Sequence, residues 1–315
     1  MTAIALLDTV HPHFEEVVKK HRAIVLDFTS LSQNEVFDSL DNVHALVIRS
    51  RFVINKAFID RLPTSIKVIG RYGSGMENID VEYATSKGIK CVHAPEGNRQ
   101  AVAEHALGML LALFNNLCKA SSEVRANLWY REENRGEELA GKTVGIIGYG
   151  NTGSAFARLL SAFPDLKILV YDKYKTGFSY GNIIETTLER IFSEADILSL
   201  HIPLTHETTY MIDRDWIDRM KKPFFLINTS RGKCVRTSAL VSALKSEKIR
   251  GACIDVLEYE KSSFEALDIS DLPADFKFLC QHPRVMVTPH IAGWSFQSHI
   301  KLAEILANRI MDALR

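Results

Sequence analysis

The chain has 315 residues, 46% hydrophobic and 24% charged, with Lys+Arg and Asp+Glu balanced at 38 each. That length and composition suit two domains of ordinary size with full cores and exclude a disordered, collagen-like or low-complexity protein. Zero net charge argues against a nucleic-acid binder, which would carry a basic excess or stripe. The longest unbroken apolar run, Ala106 to Phe114, is half of the roughly 20 residues that a membrane-spanning helix needs. The opening MTAIALLDTV lacks a basic leader and meets Asp8 early, so no signal peptide is expected and a cytoplasmic location is. Five cysteines, Cys91, Cys118, Cys234, Cys253 and Cys280, are odd in number and form no CxxC pair. They read as reduced thiols.

In chain order, IALL, AIVL, HALVIR, IKVIGR and IKCV are short apolar runs rich in Val and Ile, the pattern of buried strands. Amphipathic segments such as FEEVVKKH and KAFIDRL separate them, so this stretch reads as βαβ units around a parallel sheet. HAPEGN breaks the rhythm at residues 93–98, and one long helix is expected from Ala101 to Lys119. The alternation then restarts with KTVGIIG, LKILVYD, ADILSLHIP, FFLINTS, IRGACIDV and PRVMVTP. Residues 260–282 read as an irregular, acidic excursion, and SFQSHIKLAEILANRIMDALR as a closing amphipathic helix. The fold expected is α/β, two doubly wound, Rossmann-like parallel-sheet domains with a cleft between them.

Gly148-Tyr-Gly150-Asn151-Thr152-Gly153 matches G-x-G-x-x-G. It follows the strand TVGIIG, opens the helix TGSAFARLLSAF, and precedes a second strand ending in Asp172. That is the setting of a dinucleotide site. Gly148 allows the tight turn, Gly150 lets backbone approach the pyrophosphate, and Gly153 permits close helix–strand packing. The helix start supplies free N–H groups and the positive end of its dipole. A carboxylate at Asp172 accepts from ribose hydroxyls and repels a 2′-phosphate, favouring NAD over NADP, with Lys173 and Lys175 weakening that preference slightly.

Arg231 in NTSRG, Glu260 in DVLEYE and His290 in TPHIAGW all fall at strand ends, where ligands of open α/β sheets gather. Hydride chemistry at a carbinol carbon needs a proton carrier for the oxygen. Histidine suits that task, a neighbouring carboxylate stabilises its imidazolium, and arginine offers a planar fork to a substrate carboxylate.

Together with IRSRFVINKAF, GRYGSGMENID and HAPEGNRQAVAEHALGMLLAL, these motifs make the chain resemble the D-isomer-specific 2-hydroxyacid dehydrogenases over nearly its whole length. The resemblance implies that Arg231 binds the substrate carboxylate, His290 is the acid–base and Glu260 raises its pKa. It implies that Asp255 meets the nicotinamide carboxamide, and that His201, Pro203, Thr208, Thr229 and Gly293 also line the NAD site. It further implies a discontinuous substrate domain, residues 1–98 plus 292–315, around an NAD domain of residues 99–291 that dimerises through its leading helix.

Within the family the chain is most similar to phosphoglycerate dehydrogenases, which would make it an enzyme of serine biosynthesis converting 3-phosphoglycerate to 3-phosphohydroxypyruvate. Arg49 and Arg71 then bind the substrate phosphate, with Arg131 reaching across from a neighbouring subunit. Ser50, Gly73, Ser74, Gly75 and Asn98 complete the substrate set. Two departures stand out. Met76-Glu77 replaces a common Val-Asp, and the chain ends without the serine-sensing domain that many such enzymes carry, so feedback inhibition by that route is not expected. Glyoxylate, hydroxypyruvate or D-lactate as substrate, and a non-enzymatic NAD-sensing protein, are the alternatives. No metal is expected at His11-Pro-His13. The stripe Leu107, Leu110, Leu111 and Phe114 reads as core or dimer interface, and residues 131–138 as a solvated surface apart from Arg131.

Overall fold

The computed structural model describes residues 1–260 and 273–315. Two compact units emerge: Met1–Arg99 with Trp294–Arg315, and Gln100–Glu260 with residues 273–293.

The first unit carries five parallel strands, β1 (Ala3–Leu6), β2 (Ile24–Asp27), β3 (Ala45–Ile48), β4 (Val68–Arg71) and β5 (Lys90–His93), in the order β2-β1-β3-β4-β5. After β2 the chain returns to the other side of β1, so the connections diverge between β1 and β3. The carboxyl ends of those two strands, where Asp8 and Arg49 follow, form the crevice in which such sheets bind ligands. The closing helix Phe296–Ala313 starts at the cap Ser295, whose side chain accepts from Ser298 N. It buries Leu302, Leu306 and Ile310 against Phe14, Val17 and Val18, each such side chain contributing about 1.5–3 kcal/mol.

The second unit carries seven parallel strands: β6 (Thr143–Ile147), β7 (Lys167–Tyr171), β8 (Ile183–Glu185), β9 (Ile197–Leu200), β10 (Phe224–Asn228), β11 (Ile249–Ile254) and β12 (Val285–Val287). Their order is β12-β11-β10-β9-β6-β7-β8, which places the switch point between β6 and β9. β6, β9 and β10 are buried along their whole length, as strands covered on both faces must be. One core layer gathers Leu198, Leu226 and Trp216, and the other gathers Leu110, Phe114 and Phe156. In the stripe read as core or interface, Leu110 and Phe114 are buried in this core, while Leu107 and Leu111 pack against it half-buried.

Several expectations are corrected. The single helix from Ala101 to Lys119 is two, Arg99–Phe114 and Leu117–Arg125, bent by 60°. The break falls at Asn116, whose φ of 52° is left-handed, a conformation asparagine tolerates better than most residues. The irregular excursion at 260–282 contains the helix Ala274–Gln281, and its residues 261–272 lie outside the described ones. Residues 131–138 are only partly a solvated surface. Glu137 takes Lys142, Arg250 and Arg284 as ion-pair partners, which draws its carboxyl below the usual range against the opposing pull of burial. All five cysteines are free thiols. Among the described residues no single helix is long and apolar enough to cross a membrane.

Candidate active site

The glycine loop follows β6. Gly148 has φ 96°, and a Cβ there would lie 2.4 Å from the carbonyl oxygen of His201. A Cβ on Gly153 would lie 2.0 Å from the carbonyl oxygen of Gly148. The fold therefore demands both glycines. Gly150, the cap of the helix Asn151–Leu160, is different: a Cβ there would meet nothing within 4 Å. Its bareness leaves open space beside the free N–H groups of Asn151 and Thr152, which suits the approach of a pyrophosphate.

Asp172 follows β7 and is tied down by backbone. One carboxylate oxygen accepts from Tyr149 N at 2.6 Å, the other from Tyr174 N and Lys175 N, each at 2.9 Å. Burial pushes its pKa up, but these three N–H donors and the Lys175 charge outweigh it, and the carboxyl stays below its ordinary value. The two lysines beside it are engaged elsewhere. Lys173 pairs with Glu207, and Lys175 Nζ donates to the Tyr149 carbonyl at 3.1 Å.

His201 follows β9 and is buried. Its Nε2 lies 2.9 Å from Ser199 Oγ and its ring packs on Phe156. Desolvation lowers its pKa to about 3, so it is neutral, and it is the backbone of His201 that lies against the glycine loop. Thr208 Oγ1 donates to the Pro203 carbonyl at 2.7 Å, closing the loop between them. Thr229, after β10, buries a hydroxyl oxygen with no partner among the described residues. An orphaned polar atom of that kind signals a ligand or water that completes it.

His290 and Glu260 follow β12 and β11, and Arg231 follows β10. His290 Nδ1 and Glu260 Oε2 are 2.6 Å apart. The carboxylate can only accept, so the ring carries its proton on Nδ1 and, when neutral, presents the lone pair of Nε2. Glu260 is itself held by Leu257 N at 2.5 Å. Asp255, only 1% exposed, accepts at Oδ1 from Thr288 Oγ1 at 2.6 Å and Ile291 N at 2.8 Å, and at Oδ2 from Ala292 N at 2.9 Å. A carboxylate has about four acceptor positions, and these three donors occupy most of them. Gly293 closes this turn. Arg231 Nη1 donates to the Ser230 carbonyl at 2.7 Å. Asn228 fixes that bend by accepting from Ser230 N and Oγ and donating to the Arg231 carbonyl.

In the first unit, Arg49 N donates to Asp8 Oδ2 at 2.6 Å, and the Arg49 guanidinium lies 4.0 Å above the Trp294 ring. Burial lowers the Arg49 pKa, with Asp8 and Tyr72 opposing. Buried Asn78 donates to the carbonyls of Arg49 and Phe52 and so shapes the turn that includes Ser50. Gly73 has φ 143°, and a Cβ there would stand 1.6 Å from Arg71 Nη1, so only glycine lets that guanidinium lie across the loop. Ser74 Oγ donates to Asn98 Oδ1 at 2.6 Å, and His93 Nδ1 lies 2.6 Å from the Ser74 carbonyl. Gly75 completes the loop. Arg131 belongs to the second unit. It lines a surface cavity of about 260 Å³ with Val124, Leu128, Trp129 and Tyr130. His13 pairs with Glu16, and no cluster of three metal-ligating side chains occurs among the described residues.

Sequence reasoning missed Asp8, Asn78, Trp294, His105 and Thr288 as parts of these sites. Asp8 and Asn78 act on backbone, which no residue pattern signals, while Trp294 follows directly on the TPHIAG motif and was within reach.

The model of the D-isomer specific 2-hydroxyacid dehydrogenase NAD binding domain matches residues 107–292. The chain belongs to that dehydrogenase family. NAD is the cofactor of the matched domain, and the glycine loop, Asp172 and the orphaned Thr229 hydroxyl fit it. D-3-phosphoglycerate dehydrogenase of Bacillus subtilis is 33% identical over 291 residues, 91% of this chain and 53% of that protein. Glyoxylate reductase of Thermofilum pendens is 35% identical over 291 residues, 90% of this chain and 82% of that one. The structure of Aquifex aeolicus D-lactate dehydrogenase complexed with NAD and lactic acid superposes with a TM-score of 0.81 at 28% identity, covering 98% of this chain and 94% of that one. The chain spans about half the length of the phosphoglycerate dehydrogenases from Bacillus subtilis and Synechocystis that it matches.

Proposed function

We propose that the protein is an NAD-dependent D-2-hydroxyacid dehydrogenase acting on 3-phosphoglycerate. The observation that carries the reaction class is the His290–Glu260 pair at 2.6 Å in the unit that also holds Arg231 and the glycine loop. NAD, when bound, accepts the hydride that leaves the substrate's C2. His290 Nε2 takes the proton from the C2 hydroxyl in oxidation and returns it in reduction. Glu260 holds the ring's Nδ1–H and balances the imidazolium that forms. Arg231 offers its fork to the substrate carboxylate. Asp255 and Thr229 each have an acceptor position or a hydroxyl to give to the cofactor.

The choice of a phosphorylated substrate is supported by Arg49 and Arg71. Arg71 lies against Gly73 and Arg49 follows β3 of the same sheet, and two further cations exceed what a lone carboxylate served by Arg231 requires. A homodimer is supported by the exposed aromatic arm after the helix Leu117–Arg125, where Trp129 is 78% exposed. In such a dimer Arg131 would serve the neighbouring subunit.

A second reading, an unphosphorylated 2-keto acid such as glyoxylate, hydroxypyruvate or pyruvate, is favoured by the more complete coverage of the glyoxylate reductase. Steady-state assays with 3-phosphoglycerate, D-glycerate, glycolate and D-lactate against NAD separate the two. Arg49→Ala and Arg71→Ala should each raise KM for 3-phosphoglycerate ~10–100-fold, the weight of a charge-assisted contact. The same changes should leave smaller substrates little affected. If neither alters preference, the phosphorylated substrate is wrong. No turnover with any 2-hydroxy acid would leave an NAD-binding protein without chemistry. His290→Ala should lower kcat ~10²–10⁴-fold while NADH still binds.

A further inference from the structure

His290 has a left-handed backbone, φ 55°, a conformation that is strained for a residue with a Cβ and persists only when its surroundings impose it. The Thr288 carbonyl accepts from His290 N at 3.0 Å, and the other groups that impose it belong to Asp255. Its carbonyl accepts from His290 N at 2.8 Å, and its carboxylate accepts from the next two N–H groups, Ile291 and Ala292. The turn that aims the imidazole is thus fastened to one buried carboxylate, which must itself be fixed.

Thr288 and His105 do this. Both oxygens of the carboxylate accept backbone N–H bonds, so Thr288 Oγ1, 2.6 Å from Oδ1, donates its proton there. The hydroxyl oxygen is then free to accept, and His105 Nε2 lies 3.1 Å from it and 3.6 Å from Asp255 Oδ1. The proton order is therefore fixed from end to end: His105 Nε2–H to Thr288 Oγ1, Thr288 Oγ1–H to Asp255. His105 rides on the helix Arg99–Phe114, which is anchored by buried Ala103, Ala106 and Met109.

We propose that His105 and Thr288 are positioning residues for the acid–base histidine. The donor chain they form locks the Asp255 carboxylate and, through it, the strained turn that carries His290. The proposal rests on reading His290 as the acid–base.

The test uses the full chain and three variants: Thr288→Val, which keeps shape and loses the hydroxyl, Thr288→Ser, which keeps the hydroxyl, and His105→Phe. Thr288→Val should lower kcat ~10–100-fold, as expected for a small misplacement of a reacting group, with the NADH Kd within about threefold. Thr288→Ser should recover turnover to within about threefold, and His105→Phe should fall between. In cofactor-free protein labelled at histidine, the NMR signal of the His290 ring should move in Thr288→Val and His105→Phe and return in Thr288→Ser. Equal losses in Thr288→Val and Thr288→Ser, or a stationary His290 signal in both Thr288→Val and His105→Phe, would overturn the proposal. Should Thr288→Val fail to fold, His105→Phe carries the same two readouts. Normal turnover in His290→Ala would instead defeat the acid–base reading, while the NMR displacement would still score the positioning.

Discussion

His290 Nδ1 faces Glu260 Oε2 at 2.6 Å while Leu257 N holds the other oxygen of the same carboxylate. The ring is thereby oriented through Nδ1. Glu260→Gln keeps an acceptor near Nδ1 but removes the charge that balances imidazolium. Its kcat should fall ~10–10³-fold, the range between losing an orienting group and losing the acid–base itself. NADH affinity measured by fluorescence should hold. Unchanged kcat would show that the pair is structural.

The glycine loop makes a steric prediction. A Cβ on Gly153 would stand 2.0 Å from the Gly148 carbonyl, and backbone cannot yield as a flexible side chain does. Gly153→Ala should destabilise the second unit by about 1–3 kcal/mol, as overpacking does, and weaken NADH binding by an order of magnitude or more. Gly150→Ala, with open space around it, should spare stability and weaken only binding. Urea melts and NADH titrations of the two variants distinguish these outcomes.

His201 makes a prediction in pH. Its folded pKa, about 3, lies below the ordinary 6.5, because burial disfavours the charged ring. Between those values the unfolded chain takes up a proton that the folded one refuses, so folding stability declines as pH falls from about 6.5 toward 3. Above 6.5 both states are neutral and the effect vanishes. His201→Gln should flatten this acid-side slope in melting curves. An unaltered slope would mean the ring is not desolvated.

Asp172 should govern the choice of dinucleotide. Its carboxylate is charged and held by three backbone N–H groups, a fixed negative end against a 2′-phosphate. Asp172→Ser removes that repulsion and should shift the NADP-to-NAD preference toward NADP by at least ~10-fold in kcat/KM. A ratio that does not move would place discrimination elsewhere.

Much of this was legible from residues alone. Strands such as FFLIN are apolar on both faces and could only be central. The glycine spacing, read with its flanking strand and helix, located the tight turn between β6 and the helix Asn151–Leu160. What escaped had physical reasons. Ile183–Glu185 is three residues long, too short for any period. The bend at Asn116 depends on one backbone torsion within an otherwise helical pattern. Ala274–Gln281 follows a polar stretch that masks its short apolar face of Phe276 and Leu279. His105 sits 183 residues from Thr288, and no local signal could join them.

The closing helix Phe296–Ala313 packs into the unit begun by Met1. During translation the first five strands therefore emerge long before the eighteen residues that cover one of their faces. The nascent amino-terminal unit must wait with Phe14 and Val17 uncovered, and it is then that the polypeptide is most open to chaperones and to aggregation.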